Sequence, residues 1–404
     1  MHLATADPPR FEIKPRDPRL AQWLGEFPSE IFGDRLYQSI ELMERYSIAL
    51  AGALLDQLGI TERIANPQTP EALCQSLGFK PQFISATRWL LDRLVETGCI
   101  ERANDVEPAT YQRKRCLSNG ELAQLRSLAI EVDPANTATL DLLDHAASIY
   151  PVVARGEQTG EQCMFGPKGI ALWLNYFSNS NLTYAVNNWI AALTAAQRVG
   201  SQPGLRILEI GAGAGSATAA LLQAFEKRNL LPRISRYLVT EPNAFFRRRA
   251  QRELTDRYRN VPLEWNTLDL DVTWRDQIND ARDFDLVFAV NVFHVSKNLQ
   301  FSLKEAMSAL VNGGRLVLGE CVRPFDDQPI YPELMFQILA SFNDVTLEPQ
   351  IRPRPGFLST EHWRRAFIRA GFNNIEVVPE IEKIRDIYSH FFTAAICGQK
   401  IVDR

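Results

Sequence analysis

The chain is short of the residues that usually announce metal, redox or membrane chemistry. Its 404 residues include only six cysteines and five histidines. No two cysteines stand as C-x-x-C, and no Cys/His cluster has zinc spacing, which argues against a structural zinc or a dithiol redox centre. Reduced, buried thiols in a cytoplasmic protein are the expectation. The longest apolar stretch, Ile48–Leu55, falls far below the ~20 residues of a membrane helix. The N-terminus has no basic start followed by an apolar core, so it does not read as a signal peptide. Repeats and low-complexity tracts are lacking too. The net charge of −4 gives no global pull toward nucleic acid or an anionic membrane.

What is present is ordinary globular material, 46% hydrophobic and 23% charged, in a chain long enough for more than one core. Residues 1–30, rich in proline and charge, read as a tail or arm. A helix is expected from about Ser47 to Leu58, stopped by Gly59, and a short one over 69–78. A longer one opens at Pro81 and closes at Gly98. Two short strands near Cys99–Arg102 and Thr110–Arg113 complete a winged-helix pattern. The wing is basic (Arg113, Lys114, Arg115), but the would-be recognition helix is apolar and poor in side chains suited to base edges. Dimerisation or a structural role therefore suits this part better than DNA binding. Residues 125–200 read as helical, with Leu182, Val186, Trp189, Ile190 and Leu193 at helical spacing.

After Gly204 strands and helices alternate, which means a mostly parallel sheet with helices on both faces. Strands are expected at Arg206–Ile210, Arg236–Thr240, Pro262–Leu268, Phe284–Phe293 and Arg315–Glu320. The last two, Asn374–Val378 and Phe391–Gly398, are joined by a loop, so an antiparallel edge follows. Three segments result: a winged-helix-like unit over 1–125, a helical linker or lid over 126–203, and an α/β, Rossmann-like domain over 204–404.

The first strand of that domain runs into Glu209-Ile210-Gly211-Ala212-Gly213-Ala214-Gly215. Ligands of open α/β sheets bind at this end of the strands. A dinucleotide fingerprint needs G-x-G-x-x-G. Here the third glycine comes one residue early. Glu209, two residues before the first glycine, would be unfavourable beside a pyrophosphate but welcome to an ammonium group. S-adenosylmethionine carries an ammonium and a sulfonium. Glu241, just past the second strand, is placed to accept hydrogen bonds from ribose hydroxyls.

These pieces resemble the class I methyltransferase family, and most closely the methyltransferase domains embedded in polyketide synthases. The likeness rests on Ile207-Leu-Glu-Ile-Gly-Ala-Gly, Leu268-Asp-Leu-Asp, Phe284-Asp-Leu-Val-Phe-Ala-Val-Asn-Val-Phe-His, Gly313-Gly-Arg-Leu-Val-Leu-Gly-Glu and Leu358-Ser-Thr-Glu-His-Trp. The N-terminal part is similar, less specifically, to the dimerisation domain of small-molecule O-methyltransferases, which implies a homodimer. The resemblance implies S-adenosylmethionine as cofactor. Glu209, Gly211, Ala212, Gly213 and Gly215 would hold its methionine part, Glu241 its ribose, and Asp269 and Leu270 would border the adenine. Asn291 would line cofactor and substrate. The chain departs from the polyketide domains in having Glu241-Pro242 where they usually carry Asp followed by Ile and Ser; glutamate can do the same job.

His294 follows the fourth strand at the same edge, and an imidazole near pKa ~6.5 suits proton abstraction at neutral pH. In both families a histidine at this place is the general base. Glu320 ends the next strand and could hold the imidazole's tautomer. Iron-dependent relatives exist, but His294 is followed by Val295 rather than an acid, so no metal is expected. The long connection 321–359 reads as a lid containing an amphipathic helix over 333–342. Its Arg352 and Arg354 could grip a carboxylate or phosphate of the substrate or be solvated loop charges. Tyr184 and Asn188 either reach over the cofactor or pack in the core. The Arg247-Arg248-Arg249 run reads as a solvated helix face.

The expected activity is methyl transfer to an acidic carbon, or to a hydroxyl, of a small polyketide-like or aromatic molecule, free or carrier-bound. Two other readings stay open. One is a cyclase or eliminase using the cofactor without transferring its methyl. The other is a ligand-sensing DNA-binding regulator.

Overall fold

A computed structural model describes residues 13–103, 108–115, 121–200, 203–278 and 282–401. The N-terminal half is helical apart from one small hairpin. Its first long helix, Asp34–Gln57, starts well before the expected Ser47. Its first half buries Leu36, Ile40, Leu42 and Met43, and Glu44 pairs inside the core with Arg93 of the helix Ile84–Val95. Residues from 13 to 30 do not form the loose arm expected of them. Leu20, Leu24 and Phe27 are buried, and a short helix spans Leu20–Trp23. Residues 1–12 of that arm lie outside the described residues.

Strands β1 (Ile100–Arg102) and β2 (Tyr111–Arg113) pair antiparallel after the helices Pro70–Leu77 and Ile84–Val95. Thr69 caps the first of these helices by accepting the Ala72 N–H at 3.1 Å. The helices Thr137–Arg155 and Leu182–Arg198 then lead to the sheet.

Seven strands follow: β3 (Leu205–Ile210), β4 (Ile234–Thr240), β5 (Leu263–Asn266), β6 (Phe284–Val290), β7 (Leu310–Cys321), β8 (Asn373–Val378) and β9 (Thr393–Gln399). Their order is β5-β4-β3-β6-β7-β9-β8. The first five are parallel, and β9 runs antiparallel to both β7 and β8. The central strands are near-continuous apolar runs, as strands covered on both faces must be. One covering helix is Leu182–Arg198, which packs on β6, β7 and β9. Its fit is close enough that a Cβ on Gly319 would come within 2.7 Å of Ala191 Cβ.

The chain order reverses between β3 and β6, which opens a crevice beyond their carboxyl ends. The glycine loop leaves one side of it and His294 the other. Over this edge runs the excursion 324–357. It is closed at its base where Arg323 pairs with Ser359. The single amphipathic helix expected over 333–342 is instead two one-turn helices, Glu333–Phe336 and Ala340–Asn343. Leu339 between them is extended, and Gly160 abuts this break so closely that a Cβ there would lie 1.9 Å from the Ile338 carbonyl oxygen.

Candidate active site

The glycine loop is shaped by what surrounds it. Gly211 has φ +66°, and a Cβ there would lie 2.6 Å from Val292 Cγ2. Only glycine lets β3's loop pass this close to the turn after β6. Gly213 (φ +54°) differs: a Cβ there would meet nothing within 4 Å, so its open face is where a ligand can approach. Gly215 precedes the helix Ser216–Lys227.

Two buried carboxylates flank the loop. Glu209 is 1% exposed and accepts the Tyr237 hydroxyl at 2.6 Å. Burial pushes its carboxyl up to about 7, against the pull of that hydrogen bond, and the neighbouring Glu241 adds to the rise. Glu241 accepts the Gly213 N–H at 2.9 Å and the Asn243 N–H at 2.8 Å. It too is raised by burial, opposed by those N–H groups and by Arg247. Arg247 is not purely solvated, since it donates to the Glu241 carbonyl at 2.6 Å.

The preceding helices roof the loop. Asn179 donates to the Ser216 carbonyl at 2.8 Å, and Ser216 donates to the Phe177 carbonyl. Asn188 donates to Asn179 at 2.8 Å, while its own buried Oδ1 has no hydrogen-bond partner among the described residues. Half-buried Tyr184 lies near Asn188, Ser216 and Glu209, and burial raises its hydroxyl to about 12. On the far side of the loop, Asp269 is exposed and Leu270 half-buried after β5. Asp269 Oδ1 accepts the Asp271 N–H at 2.9 Å.

This ring of groups suits S-adenosylmethionine. It offers buried carboxylates and an undonated amide oxygen for cationic or N–H groups, and an open glycine for close approach. The residues that would hold it are Glu209, Gly211, Ala212, Gly213, Gly215, Glu241, Asp269 and Leu270, with Asn188 and Tyr184 above.

The other side of the crevice carries a tightly built pair. His294 sits on a 3-10 turn, Phe293–Val295, and is 2% exposed. Its Nδ1 lies 2.8 Å from Oε2 of Glu320, which is wholly buried. Oε1 of Glu320 accepts the N–H groups of Val292 (3.2 Å) and Phe293 (2.9 Å). A carboxylate that already accepts two backbone N–H groups only accepts, so the contact with Oε2 calls for the tautomer with the proton on Nδ1. Nε2 is left as the free lone pair, with no hydrogen-bond partner among the described residues. Phe357, Phe342 and Phe336 surround the ring at centroid distances of 4.5, 5.9 and 6.3 Å.

One expected substrate contact, Arg352, needs correction, and the side chain of Asn291, expected to line cofactor and substrate, is engaged within the sheet. Arg352 does not point to open space: it is wholly buried and donates to backbone carbonyls of the His294 turn. Asn291 adopts φ +54° and turns its Oδ1 to the Cys321 N–H at 3.0 Å, so its side chain ties β6 to β7. Arg354 stays half-buried, near Arg323, Glu333, Asp92 and Asp326, and burial lowers its pKa. Tyr237, Asn179 and the three phenylalanines were not picked out from sequence. Tyr237 alone had a signal, its place on the strand beside Glu209.

Residues 208–316 match the family described as "Methyltransferase domain". The highly reducing polyketide synthase valA of Aspergillus terreus is 28% identical over 270 residues, covering 65% of this chain and 10% of that protein. The chain spans about a tenth of the length of the curated relatives it matches. Among solved structures, the CurJ carbon methyltransferase superposes with TM-score 0.75 at 24% identity, covering 95% of this chain and 99% of that one. The DszA carbon methyltransferase gives 0.73 at 22%, covering 99% and 100%. This chain carries a class I S-adenosylmethionine-dependent methyltransferase domain. Both superpositions extend through the N-terminal helices, so those helices belong to the same fold as the methyltransferase sheet. No helix among the described residues is long and apolar enough to cross a membrane. No group of three His, Cys, Asp or Glu among them could hold a metal ion.

Proposed function

We propose that this methyltransferase domain methylates the acidic carbon between two carbonyls of a small polyketide-like acyl thioester, free or held on a carrier. The observation that carries this reading is the His294–Glu320 pair, with Nε2 free at the crevice opposite the glycine loop. S-adenosylmethionine, when bound, supplies an electrophilic methyl group. Proton removal and the exclusion of water fall to the chain's own residues.

His294 Nε2 takes the proton from the acceptor carbon. Glu320 keeps Nδ1 protonated beforehand and stabilises the imidazolium afterwards. The aromatic ring of Phe336, Phe342 and Phe357 keeps water from the base, which strengthens that electrostatic help. Asp269 and Leu270 border the adenine, and Tyr184 and Asn188 hold the methionine end against the acceptor. Carbon is preferred to oxygen as acceptor because the relatives that align are polyketide synthases and two fold neighbours that superpose along nearly the whole chain, CurJ and DszA, are carbon methyltransferases. In this reading the segment 126–203 serves as the roof of the cofactor site, between an N-terminal unit and the sheet.

The test is incubation with methyl-labelled S-adenosylmethionine and an acetoacetyl thioester. Label at the 2-carbon with release of S-adenosylhomocysteine is expected. Label on oxygen alone would overturn the choice of carbon, and intact cofactor beside a rearranged thioester would favour the cyclase or eliminase reading. His294→Ala should bind S-adenosylhomocysteine normally and lose most turnover; wild-type turnover would refute the base assignment.

A further inference from the structure

The excursion 324–357 does more than cover His294. Its returning limb folds on itself: the Glu348 N–H donates to the Arg352 carbonyl at 2.9 Å, and the Arg352 N–H to the Glu348 carbonyl at 2.7 Å. This tight turn sends the Arg352 side chain inward, where it is fully buried. Nη1 donates to the Ser296 carbonyl at 2.5 Å. Nη2 donates to the His294 carbonyl at 2.7 Å and reaches the Phe293 carbonyl at 3.4 Å. One guanidinium therefore spans the turn that carries the imidazole.

The choice of residue is informative. No carboxylate forms an ion pair with Arg352 among the described residues; Glu320 and Asp271 act on it only through their fields. Burying a cation without a paired anion is costly, so a loop charge with no task would stay in water. Only a planar fork reaches carbonyls on both sides of a turn at once, and a lysine ammonium does not. Asp271 grips the same turn from the opposite side. Its Oδ1 accepts the Lys297 N–H at 2.8 Å and the Ser296 hydroxyl at 3.2 Å. The turn is thus held by a loop of the sheet edge and by a residue of the cover.

We infer that Arg352 is a positioning residue for methyl transfer: it holds the Phe293–Ser296 turn so that Nε2 of His294 faces the acceptor when the excursion is seated. The inference rests on His294 being the base.

The test is Arg352→Lys in the full chain, assayed with an acetoacetyl thioester. This variant keeps the buried charge but loses the span. We expect kcat to fall about 100-fold, as for a base misplaced by about 1 Å. KM for S-adenosylmethionine and binding of S-adenosylhomocysteine should stay within about twofold. In the His294→Ala background the same substitution should leave the residual rate unchanged, because a residue acting through His294 has nothing left to position.

Wild-type kcat in Arg352→Lys would overturn the inference. So would an equal fractional loss in the two backgrounds, which marks a merely structural role. Arg352→Gln is the second variant; if neither variant binds S-adenosylhomocysteine, Arg352 is a folding residue and the inference fails. Failure of the base assignment is read separately, from His294→Ala alone.

Discussion

Glu320→Gln is the sharpest perturbation of the proposed chemistry, because it changes charge and donor pattern with almost no change in shape. Three donors converge on the native carboxylate: Val292 N–H, Phe293 N–H and His294 Nδ1–H. A glutamine amide has one oxygen and one NH2 group. If its oxygen keeps the two backbone donors, its NH2 faces His294, and the imidazole must shift its proton to Nε2. The lone pair that would take the substrate proton is then gone. If the oxygen keeps His294, the NH2 meets two backbone N–H groups in a buried site. The second arrangement sets three donors against one another and is disfavoured, so the first, with the base disabled, prevails. Changing the tautomer of such a pair costs about 10⁴-fold in the serine protease triad, so a loss of about 10³- to 10⁴-fold in kcat is expected here. That equals about 4–5.5 kcal/mol of transition-state stabilisation. The assay is S-adenosylhomocysteine release with an acetoacetyl thioester, beside calorimetric binding of S-adenosylhomocysteine, which should be unchanged because Glu209 and Glu241 are untouched. A kcat within threefold of wild type, with binding intact, would refute the reasoning.

Cofactor affinity should depend on pH through Glu209. Its folded-state pKa of about 7 means that the carboxylate that favours a cation is progressively protonated below neutrality. Affinity for S-adenosylhomocysteine, measured by calorimetry, should hold above about pH 8 and fall roughly tenfold from there to about pH 6. Glu209→Gln should bind weakly with no such slope; a wild-type slope in that variant would remove Glu209 from the site. Gly211→Ala and Gly213→Ala should part company. The former drives a methyl into Val292 and should cost stability, on the order of 1–3 kcal/mol by chemical denaturation. The latter enters open space, so it should cost only the left-handed backbone strain that both variants share, and should lose S-adenosylhomocysteine binding. Normal binding by Gly213→Ala would show that the open face is not where the cofactor lies.

Local features were readable in the sequence. The β3–glycine loop–helix unit is a contiguous motif, and its acids are set by strand ends. The His294–Glu320 pair was also within reach, since parallel β6 and β7 bring residues after Val290 and Gly319 to one edge. What could not be read depends on partners far away in the chain. The apolar spacing of 334–342 suits a helix, but the segment is squeezed between two surfaces and breaks at Ile338–Leu339. The early start of the helix Asp34–Gln57 depends in the same way on a distant partner, since Glu44 is buried against Arg93. Arg352 read as a cation that either grips substrate or stays solvated, and nothing near it in sequence foretells that the carbonyls of Phe293, His294 and Ser296 would be its targets.

The cover over His294 is anchored to the N-terminal helices as well as to the sheet edge. Trp89 donates to Glu333 at 2.7 Å, Tyr150 to the Leu334 carbonyl at 2.8 Å, Arg93 to the Pro329 carbonyl at 2.8 Å, and the Tyr331 N–H to Glu44 at 3.2 Å. An imidazole only 2% exposed meets an acceptor only after part of this cover shifts. The resting state is therefore the dry one, and admission of the acceptor is an opening event with its own rate. That rate is set by side chains remote in sequence from the reacting groups. Substitutions in the first helices can then tune how often the gate opens while leaving the intrinsic barrier to methyl transfer as it is, and they would register as slow turnover in an otherwise intact site.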